Sequence, residues 1–126
     1  MRLLLNKLPV KNNKRIEIAQ PIVTNTFRLN LEYVIHIVTP NCSKKNPTDS
    51  DWFNLIKCYE NCIKIADHLN IEYILFPTIG TGIFGFPKNL SANYVHDYLT
   101  YSSINRKVNV ILCLFDNDDI NAYNQF

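Results

Sequence analysis

The chain has 126 residues, which suits one domain with a single core and is too short for two independent ones. Hydrophobic residues make up 47% and charged residues 19%, a globular profile that argues against disorder along the whole length. A net charge of +2 is too mild for a dedicated nucleic-acid or membrane-surface binder, and no apolar run approaches the roughly 18–20 residues of a membrane span.

Residues 1–15 carry an apolar cluster at Leu3, Leu4, Leu5 and Leu8 closed by Pro9, which predicts an N-terminal arm or remnant helix. The leucines are followed at once by Asn6 and Lys7, so the segment reads as neither a signal peptide nor an anchor. Lys7, Lys11, Lys14 and Arg15 read as a solvated charged stretch and receive no function. The cytosol, with nuclear entry by diffusion, is the default compartment.

From residue 16 onward the pattern becomes regular. Residues 16–24 alternate apolar and polar, with Pro21 demoting them to an edge strand. Tyr33-Val34-Ile35-His36-Ile37-Val38 is a nearly continuous β-branched run closed by Thr39-Pro40, the pattern of a central strand covered on both faces. A polar loop follows, ending in Asp49, Ser50 and Asp51 as candidate helix caps. Trp52, Leu55, Ile56, Tyr59, Cys62, Ile63, Ala66 and Leu69 recur at three- and four-residue steps, which predicts an amphipathic helix over 52–69 stopping near Asn70. Residues 73–77 form a second short buried strand, 90–101 a helix, 108–115 a third strand and 116–126 a short terminal helix.

That order is the grammar of a mostly parallel sheet with helices packed on it, with ligands beyond the carboxyl ends of the strands. Pro40, the loop after Pro77, and Phe115-Asp116 then share one edge. The spacing of Cys42, Cys58, Cys62 and Cys113 fits neither a disulfide framework nor a zinc finger. Reduced thiols, no metal and no cofactor are expected. His36 reads as a satisfied core histidine in mid-strand, and His68 and His96 as helix-surface residues. No triad or paired carboxylates accompany the loop, so the catalytic group is unknown.

All three glycines, Gly80, Gly82 and Gly85, fall within six residues, between a strand and a helix. Glycine lets backbone amides approach an anion and tolerates positive φ, so such a turn can form a nest for phosphate oxygens; a tight structural turn is the plainer alternative. The spacing is neither the dinucleotide fingerprint nor a Walker loop. Ile83 and Phe84 add apolar bulk suited to packing on a ribose.

The strand Tyr33-Val34-Ile35-His36-Ile37-Val38-Thr39-Pro40, the helix segment Cys58-Tyr59-Glu60-Asn61 and the run Phe76-Pro77-Thr78-Ile79-Gly80-Thr81-Gly82-Ile83-Phe84-Gly85-Phe86-Pro87 resemble the macro domain family in order and spacing. The resemblance covers residues 16–126 as one macro-like domain. It implies a three-layer α/β/α fold with a mostly parallel sheet that binds ADP-ribose. Gly80, Thr81, Gly82, Ile83, Phe84 and Gly85 would wrap the diphosphate and distal ribose, and Phe115 and Asp116 would lie beside the adenosine. For Phe115 a core position at a strand end is an equal alternative.

Family members carry further N-terminal strands with an acidic adenine contact and an asparagine-rich loop, and nothing in residues 1–15 matches either. The N-terminal strands are therefore read as reduced or missing, through shortening or because the sequence is a fragment. The implied partner is ADP-ribose or a mono-ADP-ribosylated protein, with ADP-ribosyl hydrolysis as the family's usual chemistry. The rival is an interaction module that kept the fold and lost the nucleotide site; weak poly(ADP-ribose) or RNA binding is a third reading. No membrane is expected, and the sequence leaves the oligomeric state unknown.

Overall fold

The computed structural model describes residues 17–25 and 33–126. The expectation for residues 1–15 lies outside the described residues. β1 (Ile22–Asn25) pairs antiparallel with β2 (Tyr33–His36), Ile22 facing His36 and Val23 facing Ile35. An isolated parallel bridge joins Ile18 to Val38. α1 (Asp49–His68) leads to β3 (Tyr73–Phe76), and α2 (Lys88–Ser102) with a 3-10 turn at Ser103–Asn105 leads to β4 (Asn109–Leu112). β3 and β4 pair in parallel, as a helical crossover requires, from Tyr73 opposite Asn109 to Phe76 opposite Leu112. α3 (Asn117–Tyr123) ends the order.

α1 begins at Asp49, so its cap lies one residue before the first expected one. Thr48 is the N-cap: its Oγ1 accepts the Asp51 amide at 3.2 Å, while Asp51 Oδ2 accepts the Thr48 amide at 2.9 Å. Asp51 is thus the N3 partner of a reciprocal capping box, and Asp49 adds a further carboxylate to the first turn. The helix stops where Asn70 takes φ +57°, a left-handed residue that asparagine tolerates.

The apolar stripe of α1 makes the core. Leu55, Tyr59, Cys62, Ile63 and Ala66 pack with Ile74 and Phe76 of β3, Val95 of α2 and Val108, and the Tyr59 ring lies 4.9 Å from that of Phe76. β3 alternates, with Ile74 and Phe76 buried and Tyr73 and Leu75 more than half exposed; Ile111 on the neighbouring strand is exposed too. This strand is half-buried, where its apolar run had suggested a buried one. β4 is shorter than the 108–115 run because its partner leaves the sheet after Phe76; the last link is the Cys113 amide to the Phe76 carbonyl, 2.7 Å. Cys58 and Cys62 are packed helix residues whose thiols burial pushes up to about 11 and about 12.

Candidate functional site

The chain leaves β3 at its carboxyl end and forms a loop pinned at both feet. Ile79 and Phe86 are buried, anchoring it in the core. The Ile79 amide donates to Tyr59 Oη at 3.0 Å, from a tyrosine wholly buried in α1. The Phe86 amide donates to the Gly80 carbonyl at 3.0 Å and the Gly85 amide to the Gly82 carbonyl at 3.2 Å, closing the loop on itself. From outside, the Cys42 amide donates to the Phe84 carbonyl at 2.7 Å. Between these pins, the amides of Gly80, Thr81, Gly82, Ile83 and Phe84 donate no hydrogen bond among the described residues.

The three glycines serve different ends. Gly80 takes φ +79°, and a Cβ there would sit 2.9 Å from the Phe86 ring and 3.0 Å from Leu55. Gly85 takes φ +81°, and a Cβ would meet the Cys42 carbonyl oxygen at 2.6 Å, a backbone clash that no side-chain motion relieves. Both are required by the fold. Gly82 has no positive φ to accommodate, and among the described residues a Cβ there would meet nothing within 4 Å. The fold leaves the missing side chain of Gly82 unexplained. Ile83 beside it is 90% exposed, and Phe84 is also exposed.

Phe115 follows β4 and is 85% exposed, so the alternative of a core residue at a strand end does not hold. Asp116 caps α3, accepting the Asp119 amide at 2.9 Å, and its carboxylate lies 3.0 Å from Lys88 Nζ. The Asp119 amide, then the Lys88 ammonium, hold the Asp116 carboxyl below its ordinary range. Asp116 is thus an ion-paired cap, which ill suits it to act as a free base.

Tyr59, Thr78, Lys88 and Asp119 were not among the site residues expected from the sequence. Thr78 and Lys88 sit at the loop's two feet; Asp119 is buried and meets Thr78, Phe115 and Lys88. The one local signal was the three-residue step from Asp116 to Asp119 at a helix start. Tyr59 looked like any apolar residue of the stripe, since a buried hydroxyl's partner has no sequence signature. His36, partly buried, shares a 2.9 Å hydrogen bond with Thr24 Oγ1, and burial lowers its pKa. His68 is exposed, while the His96 ring stacks on Phe126 at 3.8 Å. Among the described residues no group of three or more His, Cys, Asp or Glu could hold a metal, and no helix is long and apolar enough to cross a membrane. A cleft of about 370 Å³ lies between the start of α2 and α3, lined by Lys88, Leu90 and Asn121 among others, and the glycines do not border it.

The Macro domain family model matches residues 5–95. The chain is 32% identical over 109 residues to an O-acetyl-ADP-ribose deacetylase of Pantoea vagans, covering 85% of this chain and 63% of the relative. It is 34% identical over 108 residues to a macro domain-containing protein of Caldanaerobacter subterraneus, covering 82% and 59%. A protein-ADP-ribose hydrolase of Staphylococcus aureus is 29% identical over 107 residues, covering 82% and 40%. The chain therefore spans between two fifths and two thirds of the length of these relatives. Among solved structures, the Oceanobacillus iheyensis macrodomain with ADP superposes with a TM-score of 0.80 at 25% identity, covering 90% of this chain and 60% of that one. The Trypanosoma brucei macrodomain in complex with ADP-ribose gives 0.70 at 19% identity, covering 86% and 45%, a likeness of fold alone.

Proposed function

The chain belongs to the macro domain family, and from that premise we propose that it binds ADP-ribose, or an ADP-ribosyl group on a protein, with the diphosphate held by the backbone amides of Gly80, Thr81, Gly82, Ile83 and Phe84. The observation that carries this reading is Gly82. The fold demands a glycine at Gly80 and Gly85, but among the described residues nothing needs one at Gly82, where bare backbone stands beside amides that donate no hydrogen bond there. An anion that comes up against those amides supplies the need. Ile83, Phe84 and the exposed ring of Phe115 offer apolar surface for ribose and adenine.

The relatives named as a deacetylase and hydrolases favour a second reading, cleavage of an ADP-ribose derivative. Such cleavage needs a water held beside the distal ribose, and small misplacement there costs about 100-fold. The loop supplies amides, not a base, and Asp116 is paired with Lys88. We therefore assign binding to these residues and little or no hydrolysis. Release of ADP-ribose from a mono-ADP-ribosylated protein tests this: robust turnover that Gly82→Glu abolishes would make the chain a hydrolase.

Binding itself is tested by calorimetric titration with ADP-ribose, AMP and ribose 5-phosphate. Binding of ADP-ribose and at least one of its halves supports the site; binding of none supports an interaction module without a nucleotide site. Binding of RNA or poly(ADP-ribose) that falls steeply with salt and is not competed by free ADP-ribose would mark a different use of the same loop.

A further inference from the structure

Asp119, in the first turn of α3, is 4% exposed and touches three separate parts of the site. Its Oδ2 accepts the Thr78 hydroxyl at 3.4 Å and the Phe115 amide at 3.4 Å. Its Oδ1 faces Lys88 Nζ at 3.1 Å as an ion pair, without hydrogen-bond geometry. Thr78 lies just ahead of Gly80, Lys88 just after Pro87, and Phe115 three residues past the neighbouring strand β4. One carboxylate thus meets both feet of the glycine loop and the backbone that carries the exposed ring. A buried carboxylate is a costly way to fill space, since a well-packed apolar residue often stabilises as much or more.

We infer that Asp119 is a positioning residue that sets the spacing between the glycine loop and Phe115, and so selects ligands that present a phosphate and a planar base together. The inference rests on the binding reading above and goes beyond it, from what is bound to how the two ends of the ligand are read jointly. Lys88 is the counter-charge that holds the carboxylate in place, with Asp116 sharing it from the solvent side. Loss of the Asp119 carboxylate leaves the loop's own pins, Tyr59 and Cys42, untouched. The loop should then keep its affinity for phosphate while its register with Phe115 is lost.

The test compares wild type, Asp119→Ala and Thr78→Val by titration with ADP-ribose and with ribose 5-phosphate, and by amide hydrogen exchange without ligand. Thr78→Val keeps the side-chain shape and the Asp119–Lys88 pair, and carries the comparison alone if Asp119→Ala does not fold. Expected is a loss of about tenfold in ADP-ribose affinity for Asp119→Ala and about threefold for Thr78→Val, with ribose 5-phosphate changing less than about twofold. Exchange at the Phe115 amide should quicken in Asp119→Ala. Equal losses for both ligands, or unchanged ADP-ribose affinity in both variants, would overturn the inference. If wild type binds neither ligand, the binding reading fails, and exchange alone decides the positioning role: faster exchange at Phe115 with the pinned amides of Ile79 and Phe86 unchanged supports it, and unchanged exchange at Phe115, or faster exchange at all three, contradicts it.

Discussion

Gly82 and Gly85 are three residues apart and look alike in the sequence, yet substitution should separate them cleanly. Gly85→Ala forces a Cβ to within 2.6 Å of the Cys42 carbonyl at φ +81°. The left-handed backbone alone costs about 1–3 kcal/mol, and the clash adds to it, so chemical denaturation should show a marked loss of stability. Gly82→Ala meets no atom and should leave the denaturation midpoint unchanged. Tyr59→Phe keeps the ring against Phe76 but strips the Ile79 amide of its acceptor in a buried place, which should cost about 1–3 kcal/mol in the same measurement. Phe115→Ala removes an exposed ring and should leave stability intact while weakening adenine-containing ligands by about 1 kcal/mol, with ribose 5-phosphate unaffected. The clustering of glycines in one turn between a strand and a helix was legible in the sequence. Which glycine serves the fold and which is free was not, because that depends on Leu55, Phe86 and Cys42, distant in sequence from the glycines they crowd or packed there only by the fold.

At the scale of elements, α1 was the most legible part because a 3.6-residue period over so many positions has one physical meaning. Its cap was misplaced because Asp49, Ser50 and Asp51 are all good capping residues, and the choice of Thr48 turns on the reciprocal bond from Asp51. That cap has a pH signature. The Thr48 amide, then the Lys45 ammonium, hold the Asp51 carboxyl at about 2, below its ordinary 3.8. A carboxyl whose folded pKa lies below its unfolded one contributes stability above the unfolded value, and that contribution is lost as pH falls from about 4 towards 2. Melting temperatures across that window should fall more steeply for wild type than for Asp51→Asn; parallel curves would show that the capping carboxylate does not matter to stability. The strands were legible as runs but not in their burial, since an apolar run such as Tyr73-Ile74-Leu75-Phe76 reads the same with one face covered as with two.

Taken whole, the described molecule is two separate strand pairs, one antiparallel and one parallel, whose residues pack against a single helix-lined core. The fold class was legible because the order of strand, helix, strand, helix, strand admits few other arrangements. The face with Tyr73, Leu75 and Ile111 was not, because exposure depends on what packs there and not on the run itself. In the proposed site the loop amides would hold phosphate and Phe115 the base, and affinity is expected at micromolar to millimolar levels. The most direct measurement is a calorimetric titration of ADP-ribose into wild type and Gly82→Glu, with far-UV circular dichroism and melting temperature recorded for both. The site predicts binding by wild type and none by Gly82→Glu, since the new carboxylate would stand among the amides meant for phosphate, while both keep native spectra because no atom of the described residues lies within 4 Å of the added Cβ. Equal binding by the two proteins would contradict it and leave the loop a purely structural turn.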